Sequence, residues 1–146
     1  MQDPLAPANG ELDKFMLLQL IGTQLAKYLT KGQISEDHYF RISIDDIKSA
    51  LEPGDVVLVE GQSRVSNAIQ FITNSNWSHA AIFIGEAGSL SHCLIEVKAV
   101  DGCIFTDIDV YMHHNLRICR PVYLNNKKRK ILIDYLIKKI GSKYDL

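Results

Sequence analysis

Cysteine is scarce in this chain of 146 residues: Cys93, Cys103 and Cys119 make an odd count with no C-x-x-C spacing. That argues against a disulfide framework and a zinc knuckle alike, and makes a reducing, cytoplasmic setting the simpler expectation. An excess of one charge is missing as well. Sixteen Lys and Arg stand against 17 Asp and Glu, so no strong field invites nucleic acid. Nor is there a long apolar run. The most apolar early stretch, Phe15 to Leu29, is interrupted by Gln19, Gln24 and Lys27 and falls short of the ~20 residues a membrane span needs. Met1 to Pro7 lack the basic opening of a signal peptide. What is present suits one domain with a real core, at 47% apolar residues.

Residues Met1 to Gly10 read as a tail, with two prolines and an Asn-Gly pair. From Glu11 the spacing predicts a helix, with Leu12, Phe15, Met16 and Gln19 on one line and Leu18, Ile21, Leu25 and Leu29 beside it, ending at Lys31-Gly32. Its broad apolar face would pack on the domain, on a partner chain or on a membrane surface. Gln33 to Arg41 form a connection, and Ser43, with Asp46 three residues on, opens a short helix in capping-box fashion.

Pro53-Gly54 is a turn before Asp55 to Glu60, an apolar run of strand length that reads as a central strand. Gly61-Gln62-Ser63 ends it without the glycine spacing and lysine of a phosphate loop. Val65, Ile69 and Ile72, flanked by Ala68 and Phe71, then predict a helix. Farther on, Asp101-Gly102 signals a hairpin into Cys103 to Tyr111, read as one strand. Leu116 to Val122 is read as a last strand. Lys127 to Ile140 predict a helix with Ile131, Leu132, Tyr135, Leu136 and Ile140 on its apolar side and lysines opposite. The pair His113-His114 has no Cys or acid at ligand spacing, so it reads as an exposed loop; no metal and no cofactor is expected.

The stretch that organises the rest is Asn74 to Gly85, where a polar turn carrying Trp77 runs through Ser78 into His79 and then Ala80-Ala81-Ile82-Phe83-Ile84. A histidine that opens a strand is held by backbone pairing while one face of its ring stays open to a cleft, which suits a general base. Taken alone it suits better the commoner role of a histidine bonded to backbone at a strand edge. The next strand, Leu90 to Val100, carries Glu96 among β-formers, and a carboxylate is costly to bury without a partner. A hairpin centred near Ala87 and Gly88 sets His79 opposite Glu96, with Cβ atoms within about 4.5 to 5.5 Å. A slip of one residue would turn the acid to the other face. The two readings of Glu96, orienting acid and solvent-facing acid, stay open on pattern alone.

Taken together, Gly54-Asp55-Val56-Val57-Leu58-Val59, Ser66-Asn67-Ala68-Ile69, Thr73, Trp77-Ser78-His79, Leu94-Ile95-Glu96, Arg120-Pro121 and Gly141-Ser142-Lys143-Tyr144-Asp145 resemble the circularly permuted papain-like amidases. These are the YiiX and YebB type relatives of the NlpC-type cysteine peptidases. The resemblance covers Pro53 to Leu146 and leaves Met1 to Glu52 as an N-terminal tail and helical extension. It implies an α+β fold, a permuted papain-like antiparallel sheet or partial barrel flanked by helices. It implies His79 as general base and Glu96 as the residue that orients it, with Tyr144, Trp77 and Ser78 lining the substrate site. The nucleophilic cysteine of such a fold opens a helix after the Gly-x-x-Tyr-Asp segment, and so is expected beyond Leu146.

None of Cys93, Cys103 and Cys119 is expected to replace that nucleophile. Cys93 stands an odd three positions from Glu96, and the other two fall in predicted strands without the helix N-terminus that favours a thiolate. Two functional readings follow. One is a cysteine hydrolase core acting on a peptide, a cell-wall fragment or an acylated small molecule. The other is a papain-like binding module without chemistry, for a peptide, an acyl chain or a membrane-associated partner. In either case the N-terminal helix or a second copy of the chain is expected to cover sheet surface that the nucleophile helix would otherwise occupy.

Overall fold

The computed structural model describes residues 42–143. The tail and helix expected before residue 33, the connection after them up to residue 41, and Tyr144 lie outside the described residues. The chain runs α1 (Ile44–Ala50), β1 (Val56–Val59), α2 (Arg64–Thr73), β2 (His79–Ala87), β3 (Leu90–Lys98), β4 (Gly102–Asp107), a 3-10 turn (Ile108–Tyr111), β5 (Leu116–Cys119) and α3 (Asn126–Ile137). Side chains that accept from the first free backbone N–H groups start each helix. Ser43 accepts from Asp45 N, Ser63 from Ser66 N and Asn125 from Lys128 N. At the far end of α2, Asn74 takes the left-handed conformation and stops the helix just before the Trp77 turn.

The five strands form one open antiparallel sheet in the order β4-β3-β2-β1-β5. The sheet is not closed into a barrel, and with its helices it makes an α+β, papain-like arrangement. Side chains alternate across it and sort into two apolar clusters. On one face Val57, Val59, Ala81, Phe83 and Leu94 pack with Ile47 of α1 and with Ile108 and Tyr111 of the 3-10 turn. On the other, Ile84, Cys93, Ile95 and Cys103 meet Ile133 and Leu136 of α3 and Ile140 just after it. The fold is therefore a sheet between unequal helical layers, while α2 has no buried residue at all.

Three expectations are corrected. The run Cys103 to Tyr111 is not one strand: Asp107 accepts from Asp109 N at 2.9 Å and turns the chain into the 3-10 segment, a local side-chain bond outcompeting the ladder. The strand predicted as Leu116 to Val122 stops at Cys119, where Arg120 leaves the sheet to bind acids and Pro121 cannot donate to a neighbour. Of the apolar side expected for α3, Leu136 and the following Ile140 do pack partly buried against the sheet, joined by Ile133, whereas Ile131 and Tyr135 are exposed at 60% and 57%.

The β3–β4 connection is the three-residue turn Ala99-Val100-Asp101, closed by the pair Lys98↔Gly102 with Gly102 at φ +73°, the left-handed position that such turns give to glycine. Gly102 serves a second purpose. The segment after α3 returns here, with Cys103 N donating to Ser142 O at 2.8 Å and Gly141 N to Cys103 O at 2.9 Å. A Cβ on Gly102 would sit 2.3 Å from Ser142 O.

Candidate active site

His79 is the first residue of β2, and Ser78 N donates to Val59 O at 3.1 Å to fix the strand's entry. Its ring lies on the Ala81 and Phe83 side of the sheet by strand parity. Glu96 is two residues from Leu94 and shares that side. The observed pairs Ile82↔Ile95 and Phe83↔Leu94, continued by one residue, set Ala81 and not His79 across from Glu96. The expected direct opposition is thus replaced by a diagonal one, because the hairpin turns at Gly88-Ser89, closed by Ala87↔Leu90. A displacement of two residues keeps the face, and the diagonal neighbour is within reach of a long side chain. His79 Nε2 lies 2.5 Å from Glu96 Oε2.

The Glu96 side chain is fully buried and would be costly without partners. It has four. Besides His79, Tyr111 donates its hydroxyl to Oε2, Thr106 donates its hydroxyl to Oε1, and Lys98 Nζ stands 3.1 Å from Oε1. Burial pushes the carboxyl upward, but the bonds from His79, Thr106, Tyr111 and Lys98 outweigh it and hold Glu96 at about 2. The ionised acid accepts the Nε2 proton of His79, which assigns Nδ1 as the basic nitrogen of the neutral ring.

His79, 29% exposed in its side chain, borders a cavity of about 870 Å³, large enough for a substrate. Its lining includes the aliphatic residues Val59, Val65, Ile69 and Val100 together with Tyr111. Gly61 sits at its rim with its N–H donated to Ser78 Oγ at 3.0 Å, and a Cβ there would meet Ser66 Oγ at 2.3 Å and Ser78 Oγ at 2.7 Å. Ser78 therefore lines the cavity with its hydroxyl engaged by backbone, and Trp77 is not among the described residues lining it. His113 and His114 line it too: both lie in a loop as expected and His113 is exposed, while His114 is half-buried and packs edge-on against Tyr111, centroids 5.6 Å apart.

Thr106, Tyr111 and Lys98 had no role in the sequence reading. A threonine in an otherwise apolar run, and the Asp107-x-Asp109 pair that bends the chain before Tyr111, were the available signals. The three cysteines stand apart from the site. Cys93 and Cys103 are buried in the cluster under α3, and Cys119 alternates with Ile118 and Leu116, which pack on the His79 side. Burial pushes the Cys93 thiol up. Among the described residues no group of three or more His, Cys, Asp or Glu could hold a metal ion, and no helix is long and apolar enough to cross a membrane.

A strand-borne histidine with a buried, ionised acid on Nε2 and its ring open to a cavity can relay a proton to and from a reactant on Nδ1. No curated protein matches the sequence. Residues 50–146 match the family described as permuted papain-like amidase enzyme, YaeF/YiiX, C92 family. That match spans about two-thirds of the sequence and takes in every element from β1 onward, so the chain belongs to the permuted papain-like amidase family.

Proposed function

We propose that this fold is the core of a cysteine hydrolase cleaving amide bonds, with His79 as general base and Glu96 as the acid that orients it. The observation that carries this reading is the 2.5 Å contact between His79 Nε2 and a fully buried Glu96, made at the edge of a cavity. The family resemblance implies that the attacking thiolate belongs to a cysteine following the Gly-x-x-Tyr-Asp segment; Cys93 and Cys103 lie on the face away from His79. Pairing of Ser142 with Cys103 returns the chain to the strand that follows the Ala99 to Asp101 turn, and that turn is part of the cavity lining. The thiolate adds to the carbonyl carbon, and His79 passes its proton to the leaving amine. Water then releases the acyl group with His79 as base again. The aliphatic walls favour a substrate with an acyl or apolar peptide portion over a sugar-rich one. Three free thiols accord with a reducing, cytoplasmic setting.

A second reading, a non-catalytic module for an acyl chain or membrane-associated partner, draws on α2. Ile72 and Phe71 are 80% and 88% exposed on the helix whose Val65 and Ile69 line the cavity. The reading frame past Leu146 separates the two. A cysteine opening a helix within about 25 residues, with amide hydrolysis that falls at least about a thousandfold in His79→Ala or on replacing that cysteine, supports the enzyme. No such cysteine, or hydrolysis indifferent to His79→Ala, leaves the module.

A further inference from the structure

Glu96 is contacted from four places: His79 at the start of β2, Lys98 on its own strand, Thr106 on β4 and Tyr111 on the 3-10 turn. Its two oxygens are used differently. Oε2 takes His79 Nε2 and the Tyr111 hydroxyl, while Oε1 takes the Thr106 hydroxyl and Lys98 Nζ. Lys98 is 38% exposed in its side chain, long, and screened by salt, so it holds the carboxylate weakly. Thr106 and Tyr111 are buried and cannot swing away. Tyr111 is wedged more firmly still: its ring stands edge-on to His114 and 6.2 Å from the His79 ring, on a turn capped by Asp107.

We propose that Tyr111 is a positioning residue for His79: its hydroxyl acts through Glu96, fixing the oxygen that the histidine uses and keeping the buried carboxylate ionised. This rests on the reading of His79 and Glu96 as a base with its orienting acid, and it goes beyond it by giving the pair a third member from a separate element. A carboxylate that carries two donors on one oxygen cannot rotate to release either without breaking the other. The shared oxygen is also less basic than a bare one, which leaves the proton between Glu96 and His79 on the histidine. The titratable groups facing Glu96 are His79, Lys98 and Tyr111, with His114 behind Tyr111. Burial, followed by the Glu96 charge, pushes Tyr111 upward, so its hydroxyl remains a donor through the neutral range.

The test uses Tyr111→Phe in the 146-residue chain, which removes one hydroxyl and keeps the ring. Glu96 protonation is followed by the carboxyl-carbon resonance of glutamate-labelled protein. Loss of a hydrogen bond to a charged acceptor raises the Glu96 midpoint by about one pH unit; an unmoved midpoint overturns the proposal. Where acid unfolds the variant first, urea unfolding replaces the titration. The folding constant of Tyr111→Phe falls short of the parent's by about tenfold at pH 7, and the gap narrows to about threefold near pH 2.5. A gap of the same size at both pH values, as for a packing loss, also overturns it. His79→Ala serves as the reference: if it raises the Glu96 midpoint and Tyr111→Phe does not, the pair stands and the Tyr111 role fails. If neither moves it, the pair itself fails.

Discussion

Cys93 and Glu96 are three residues apart on β3 and project from opposite faces of the sheet, the thiol beneath α3 and the carboxylate beside His79. The separation fixes what each can do. Cys93 is sealed among Ile84, Ile95 and Cys103, where burial pushes its thiol up and disfavours the thiolate. Iodoacetamide should therefore label Cys93 and Cys103 only as fast as the chain opens, at least about a hundredfold more slowly than in urea. Peptide mapping after timed labelling checks this. Rapid, pH-dependent labelling of Cys93 in the folded chain would return it to candidacy as a nucleophile.

The charge on Glu96 should write itself into stability against acid. Its folded value, about 2, lies below the ordinary 4.5, so its contribution is fully present above the ordinary value and is lost as pH falls from about 4.5 towards 2. The size is about 3 kcal/mol. Urea unfolding measured at half-unit steps through that window should show this loss in the parent and a flatter profile in Glu96→Gln. Equal slopes in the two proteins would mean the acid is not held ionised.

Arg120 joins the end of β5 to the entrance of β1. It donates to both Asp55 oxygens at 3.0 and 2.8 Å, to Glu52 Oε1 at 2.8 Å and to Ala50 O at 2.6 Å. Asp55 is only 1% exposed, and despite its burial the guanidinium holds its carboxyl below the usual range. Arg120→Met strands that charge and should destabilise the chain by about 3 kcal/mol. Asp55→Asn added to it should recover part of the loss in the same urea assay, since no buried charge is then left unpaired.

Gly102→Ala places a methyl where the Ser142 carbonyl stands and asks an L-residue to hold φ +73°. Expected is a loss of about 1 to 3 kcal/mol, with faster hydrogen exchange at Cys103 and Gly141, the amides that join β4 to the returning segment. Unchanged protection at those two amides would show that the segment is held elsewhere.

Much of this architecture was legible because strands, caps and turns leave local marks. Alternating β-formers marked β2 and β3, and Ser43 marked a helix start. The pairing of His79 with Glu96 was legible for a subtler reason. The turn lies one residue later than its composition suggested, which moves the register by two, and an even displacement preserves the face. Thr106 and Tyr111 were not legible, since their contact with Glu96 depends on the β3–β4 register and on the bend at Asp107. Helix faces were misjudged where tertiary packing chose among several apolar residues: Ile133 turns inward on α3 while Ile131 and Tyr135 turn outward.

The return of Gly141 and Ser142 to Cys103 has a consequence for association. β4 is an outer strand, and such strands offer unsatisfied amides and carbonyls to any passing chain. Two of those groups, the N–H and carbonyl of Cys103, are already occupied from within the same molecule. At the opposite margin β5 is four residues long and is soon followed by Pro121. Among the described residues, fewer backbone groups at the Cys103 end of β4 and along the short β5 are thereby left open for a neighbouring chain to pair with.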